Sequence, residues 1–198
     1  MSLFPVTMES DRLRYERIHP KDFDPWELYQ YVHEDAPHIE AITQWVTWDP
    51  YETPKEAFDW VRHCGEEFDA GESVTYAIRP KSGDDAGEFA GVTGFHPDWE
   101  RRRASLGIWL REPFWGRGYS GERAGRLFRL AFDRLDLEVV SVSHDPENDQ
   151  SATAIEAYIE AHGGRREGVL RNDMMMNGEP RDSVRYSVTR EEWAANRS

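Results

Sequence analysis

Disulfides, membrane spans and lysine are what this sequence lacks. One cysteine, Cys64, in 198 residues leaves no partner for an internal disulfide. No staple is needed, because a chain of this size buries about 70% of the surface that it exposes when unfolded. The low count suits a reducing compartment, so the cytoplasm is the expected location. No window approaches the roughly 20 apolar residues of a membrane span. The opening MSLFPVTMESDRLRYERIHP has no long apolar stretch behind a basic start, so neither export nor membrane anchoring is expected. Lys21, Lys55 and Lys81 are the three lysines among 24 basic residues, the remainder being arginine. Against them stand 38 acidic residues, a formal charge of -14. Such a surface repels polyanions, and extended nucleic-acid binding, which runs on cations displacing phosphate counterions, is not expected. Few ammonium groups and many carboxylates fit a protein kept soluble in concentrated salt, a halophilic trait, because screening there removes self-repulsion. An ordinary acidic cytoplasmic protein with arginine-rich codon usage is the competing reading.

What is present is an alternation of strand and helix patterns. Residues 11–18 alternate Leu13 and Tyr15 with charged neighbours, as in a half-buried strand, and a short helix is expected from Pro25. Over 53–71, Thr53 caps a helix, Pro54 takes its first position, Glu56 completes a capping box and Gly71 stops it. Ala57, Trp60, Val61, Cys64 and Phe68 recur at spacings of three and four, an apolar stripe that makes Cys64 a core residue rather than a nucleophile. Strands are expected at 73–79, 88–95 and 104–110, joined by short turn-rich segments as an antiparallel meander. A long helix over 119–136 puts Ala124, Leu127, Phe128, Ala131 and Leu135 on one face. A buried strand at 137–143 and a helix at 151–164, stopped by two glycines, follow. The order helix, strand, helix marks a parallel element. Strands at 165–171 and 181–189 close the chain as a hairpin around the loop NDMMMNGEP. With no repeat, low-complexity tract or long linker, the sequence predicts a single α+β domain over 1–198, built on a mixed sheet of about seven strands.

The chemistry concentrates after the strand at 104–110. Gly116, Gly118 and Gly121 lie in a turn that leads from this strand into the long helix. Glycines let the backbone curl towards a ligand, and the first turn of a helix offers N–H donors and a favourable dipole for phosphate. Arg117 adds a cation beside that nest. A tight strand-to-helix turn asks for glycine even without a ligand, so the spacing alone leaves both readings open. The run does not end in Gly-Lys-Ser or Gly-Lys-Thr, and no strand preceding it opens a βαβ unit with an acidic residue at the nucleotide-ribose position, which dismisses two competing phosphate motifs. Asn148 and Ser151 open the helix that follows 137–143, where both residue types also serve as caps.

Taken in order from about residue 8 to 193, WVTWDPYETPKEAFDW, AGVTGFHPDW, LGIWLREPFWGRGYSGERAGRLFRLAF, DPENDQSATAIEAYIEAHGGRREGVLRND and NGEPRDSVRYSVTREEW resemble the GCN5-related N-acetyltransferase superfamily. Within it they resemble the ribosomal-protein N-terminal acetyltransferase-like (RimJ/RimL-type) branch. The resemblance implies an acyl-CoA N-acyltransferase fold, a splayed, mostly antiparallel mixed sheet flanked by helices that holds acetyl-CoA where two strands part. Pantetheine amides would meet the backbone near Ile108, Trp109 and Leu110, adding a strand-like partner. The pyrophosphate loop maps onto Trp115, Gly116, Arg117, Gly118, Tyr119 and Ser120, with Gly121 just inside the helix. The superfamily's common Gln or Arg three residues before the first glycine is Pro113 here, a replacement frequent in this branch. Asn148 would hold the pantetheine arm, and Ser151 would lie near the thioester sulfur, to protonate the leaving thiolate or position it.

The implied reaction is direct attack of a primary amine on acetyl-CoA, the amine belonging to a protein N-terminus or a small molecule. An uncharged amine and a donor for the tetrahedral oxygen are required. Asp173 and His96 are the candidate bases, with no dedicated protein base as the third option; Ser105 stands where relatives commonly carry Glu. No metal is assigned. A noncatalytic acyl-CoA-binding or regulatory module is the rival from another class. Trp45, Trp48 and Tyr51 line a substrate cleft or pack as a lid onto the core. Met174, Met175 and Met176 cannot all face one way on an extended segment; they provide a contact surface, a homodimer patch being one expectation, or fill gaps. Arg101, Arg102 and Arg103 are expected to be solvated or ion-paired, contact with the CoA 3'-phosphate or ribosomal RNA being the alternative.

Overall fold

The computed structural model describes residues 2–176 and 178–196. Its contacts group into two units, Met1–Gly94 with Ile108–Arg117, and Phe95–Gly107 with Gly118–Ser198.

In the first unit β1 (Thr7–Glu9) pairs antiparallel with β2 (Leu13–Arg17), and β2 pairs antiparallel with β3 (Val74–Pro80). The helices are α1 (Pro25–Val32), α2 (Ile39–Thr43) and α3 (Pro54–Ala70). The start of α3 follows its sequence signals: Pro54 sits in the first turn and the Thr53 N–H donates to the Glu56 carboxylate at 2.8 Å. Gly71 ends the helix at φ 73°, a left-handed conformation cheap for glycine. The stripe Ala57, Val61, Cys64 and Phe68 is buried. Its first three members join Ile18, Leu28, Val32, Ala77 and Phe89 in one apolar cluster, with Trp60 partly covered at its margin. Burial pushes the Cys64 thiol up to about 12, so Cys64 is a small core residue, as its spacing predicts.

β4 (Gly91–Asp98) and β5 (Arg103–Leu110) contribute residues to both units. In the second unit, Arg103–Leu106 of β5 pair in parallel with Val139–Val142 of β6 (Val139–His144), the parallel element that the sequence order predicts. Both strands run beyond that pairing, β5 to Leu110 and β6 to His144. Between them in the chain lies α4 (Tyr119–Arg129), which widens into a π turn over Leu130–Arg134. Ala124, Leu127, Phe128 and Ala131 are buried, and the Phe128 ring packs on Phe132, Tyr158 and Trp193 at centroid distances of 6.2, 6.5 and 5.9 Å. Tyr158 comes from α5 (Asp149–Ala161) and Trp193 from α6 (Arg190–Ala195).

β8 (Glu179–Thr189) pairs antiparallel with β6 and with β7 (Arg165–Met176). The loop expected over 172–180 is therefore mostly strand: β7 continues through Met176 and β8 starts at Glu179, while Asn177 lies outside the described residues. Met174 is half-buried, Met175 exposed and Met176 buried, the alternation that an extended segment imposes. Arg101 and Arg103 pair with Asp98 at 2.7 and 3.3 Å, and Arg102 pairs with Asp136 and Glu138 at 2.7 and 2.8 Å, so the basic run is ion-paired. The strands form one eight-stranded, mostly antiparallel mixed sheet in the order β1-β2-β3-β4-β5-β6-β8-β7, one strand more than expected because the three-residue β1 joins its edge. Among the described residues, no helix is long and apolar enough to cross a membrane.

Candidate active site

In the first unit the end of β5 is fixed by packing and by backbone contacts. Ile108, Trp109 and Leu110 are half-buried. The Trp109 ring lies 5.8 Å from Phe89 and 5.6 Å from Trp48, which in turn lies 6.2 Å from Tyr51. Of the aromatic loop, Trp48 and Tyr51 thus pack on the core cluster. Burial raises the Tyr51 phenol above its ordinary range, leaving it a neutral hydroxyl at physiological pH. The Arg111 N–H donates to the Ala90 carbonyl at 2.9 Å. Gly91 sits at φ 147°, and a Cβ there would lie 2.2 Å from the Trp109 carbonyl oxygen and 2.8 Å from the Leu110 Cα. Only glycine allows the two strands to meet so closely.

The glycine-containing turn follows directly. A 3-10 turn over Glu112–Phe114 buries Phe114, and the Trp115 indole N–H donates to the Leu110 carbonyl at 2.8 Å. Gly116 at φ 71° then reverses the chain. Arg117 is exposed, its guanidinium 5.0 Å from the Phe114 ring centroid and paired with Asp85, and its carbonyl accepts from Arg12 at 2.9 Å.

In the second unit Gly118 stands at the N-cap of α4 with φ 75°. Having no side chain, Gly118 itself makes no side-chain capping bond to that helix. Tyr119 is buried and Ser120 and Gly121 are half-buried; a Cβ on Gly121 would sit 3.4 Å from that of Tyr158, a helix-packing contact. The buried Asn148 accepts the Ser151 N–H on Oδ1 at 2.9 Å, so it caps α5 and fixes the half-buried Ser151. The Asn148 N–H donates to the Asp145 carbonyl at 2.9 Å. Asp145, with a side chain 1% exposed, accepts from Arg181 Nε at 3.1 Å, and Arg181 Nη2 donates to Glu147 at 2.7 Å. Those carboxylates, Asp145 first, hold the Arg181 guanidinium still more firmly charged than usual.

Asp173 lies on β7, where the register slips: Leu170 faces Ser183 and Met174 faces Arg181. Asn172, at φ 50°, donates its N–H to Asp182 at 3.0 Å, and the bulge brings Asp173 onto Ser183, whose hydroxyl donates to Oδ2 at 2.6 Å. Arg185 Nη2 is 3.6 Å from the same oxygen. The structure thus joins Trp115 to Leu110 and Asn148 to Ser151, but Asp173 is held by Ser183 and Arg185 rather than by Ser151. His96 is exposed on β4 and Ser105 exposed on β5. Sequence reasoning passed over Ser183 and Arg185. Their signal was the period-two alternation of 181, 183 and 185 with the apolar Val184, Tyr186 and Val188, which are buried.

A family model described as an acetyltransferase (GNAT) domain matches residues 12–158. The chain is 25% identical over 189 residues to "Uncharacterized N-acetyltransferase p20" of Bacillus licheniformis, covering 95% of this chain and 98% of that one. Among solved structures it resembles the microcin C7 self-immunity acetyltransferase MccE in complex with acetyl-CoA and AMP, with a TM-score of 0.79, 19% identity, and 95% and 98% of the two chains covered. It also resembles the ribosomal-protein-S5-alanine acetyltransferase from Vibrio fischeri, with a TM-score of 0.76, 16% identity, and 96% and 99% covered. At these identities the two structures speak for the fold.

Proposed function

The chain belongs to the acetyltransferase (GNAT) domain family, and from that premise we propose that it transfers the acetyl group of acetyl-CoA to a primary amine by direct attack. The observation that carries the reading is the turn 115–118: two left-handed glycines bracket Arg117, and the second of them stands at the N-cap of α4. That arrangement suits a pyrophosphate, with the dipole of α4 and Arg117 adding to the attraction. Acetyl-CoA in the MccE structure supports the choice of donor. Ile108, Trp109 and Leu110 would take the pantetheine amides, and Asn148 would fix the arm beside Ser151. The amine nitrogen bonds to the acetyl carbon, the C–S bond breaks and the thiolate leaves. The Ser151 hydroxyl hydrogen-bonds to the departing sulfur, and the ammonium proton passes to the Asp173 carboxylate, His96 being the competing base. No acyl-enzyme is formed, in keeping with a buried Cys64. The ribosomal-protein alanine for which the Vibrio fischeri acetyltransferase is named supports a protein N-terminus among the acceptors.

Calorimetry with acetyl-CoA and with CoA, in salt that keeps the protein folded, is expected to give binding of both, and thiol release is expected with an amine acceptor. Asp173→Asn should lower turnover at pH 7 more than at pH 9, where more of the amine is neutral; an unchanged profile removes Asp173 as the base. Absence of affinity for either ligand would overturn the reading, and tight binding with no release for any amine would reduce the protein to a binding module.

A further inference from the structure

The strand-to-helix step after β6 is built around one buried carboxylate that the transfer proposed above does not use. β6 ends at His144, beyond its parallel pairing with β5, and Asp145 follows with a side chain 1% exposed. The Asp145 carbonyl can only accept, so His144 donates to it from Nδ1 at 2.8 Å, and the Asn148 N–H donates to the same oxygen at 2.9 Å. The Asp145 carboxylate accepts the Glu147 N–H on Oδ1 at 2.8 Å and Arg181 Nε on Oδ2 at 3.1 Å. Backbone and side chain of one residue thus shape the turn that delivers Asn148, and Asn148 in turn caps α5 through the Ser151 N–H. The arrangement depends on a charge from another strand. A carboxylate this deep is tolerated when paired, and removing its partner costs more than the pair itself is worth. Arg181 on β8 supplies that charge, and its Nη2 donates to Glu147 at 2.7 Å. Two positions further along β8, on the same side of the strand, the buried Ser183 donates to Asp173 at 2.6 Å.

We propose that Arg181 is a positioning residue for acetyl transfer: acting through Asp145 and Asn148, it fixes the Ser151 hydroxyl where the thiolate leaves. β8 then sets both ends of the reaction, Asp173 by Ser183 and Ser151 by Arg181. The inference rests on the acetyl-transfer reading. Without the Arg181 guanidinium, the Asp145 carboxylate must draw in water or turn outward to reach it. Either change loosens the turn 145–148 and lets Ser151 drift. The turn 115–118 and the end of β5 have contacts of their own, Trp115 with Leu110 and Arg111 with Ala90, and are not touched by the loss. A hydroxyl displaced by about 1 Å loses most of its hold on the departing sulfur, so the damage falls on the chemical step.

The test is a double-mutant cycle on kcat, followed as thiol release at saturating acetyl-CoA with the peptide Ala-Gly-Ala and with spermidine as acceptors. Ser151→Ala and Arg181→Gln are each expected to lower kcat on the order of tenfold, with KM for the acceptor unchanged. Because Arg181 acts through the hydroxyl, adding Arg181→Gln to Ser151→Ala should cost nothing further, the double variant matching Ser151→Ala within about twofold. Arg181→Lys keeps a charge beside Asp145 and should restore part of the loss. A chain with both Asp145→Asn and Arg181→Gln has no buried charge left to compensate; it runs through the same cycle should circular dichroism show Arg181→Gln alone to be unfolded. Losses that multiply, or wild-type kcat in either single variant, overturn this inference while leaving acetyl transfer intact. A wild-type enzyme that binds acetyl-CoA but releases thiol with neither amine overturns both.

Discussion

Single residues take their roles from what surrounds them more than from their type. Cys64 and Asp173 are both potential reactants, yet one is packed among Ala57, Val61 and Phe89 and the other is held at a half-open strand bulge. With its thiol pushed up to about 12, Cys64 has on the order of a thousandth of the thiolate of an ordinary cysteine at pH 8. Native protein should therefore react with iodoacetamide on the order of a thousandfold more slowly than protein unfolded in guanidinium, as followed by mass spectrometry. Native labelling at the unfolded rate would show that the stripe of α3 is open. Cys64 was legible because helical spacing alone sets its face. Gly116, Gly118 and Asn148 were legible because turn and cap signals are local. Arg185 was not, since its meeting with Asp173 depends on a register slip between β7 and β8 that no spacing in either strand announces.

Elements behave the same way at larger size. The boundaries of α3 come from Thr53, Pro54, Glu56 and Gly71, each acting within one turn, and the sequence placed them correctly. β1 has three residues and no periodicity; it exists because Thr7, Met8 and Glu9 find partners on β2. Asn172 and Asp173 read as turn formers, yet pairing with β8 absorbs them as a bulge and carries β7 on to Met176. Long-range pairing thus overrides local composition at both edges of the sheet. Gly91 is where strand geometry is least forgiving, because its missing Cβ is what lets the Trp109 carbonyl approach. Gly83 also has a positive φ, 90°, but a methyl group added there would meet nothing within 4 Å among the described residues. Thermal unfolding should show Gly83→Ala costing roughly 1 kcal/mol, the left-handed strain alone. Gly91→Ala should cost on the order of 4 kcal/mol or more, because backbone atoms must also move. Equal costs would mean that the close approach of β4 and β5 contributes nothing to stability.

At the scale of the whole molecule the decisive quantity is charge. Two electrostatic contributions respond oppositely to salt. The excess of 14 negative charges repels itself, and screening relieves that. The ion pairs of the arginines attract, and screening weakens them. Among the described residues many of these pairs are exposed, as with Arg62 and Asp59 or Arg101 and Asp98, and solvent screening leaves such pairs little net effect on stability. Those that matter more, Asp145 with Arg181 and Glu27 with Arg79, are partly or wholly shielded from solvent and lose less to salt. Relief of self-repulsion should therefore win, and the melting temperature should rise by several degrees between about 0.05 M and 1 M KCl, where the Debye length shrinks to roughly 3 Å. Screening predicts that most of the gain arrives at the low end of that range and then levels off. A rise that continues linearly to molar salt would instead point to exclusion of salt from the protein surface, an effect independent of net charge. A flat or falling curve would mean that the arginine ion pairs, not the uncompensated carboxylates, dominate the surface, and the scarcity of lysine would lose its physical link to a salty environment.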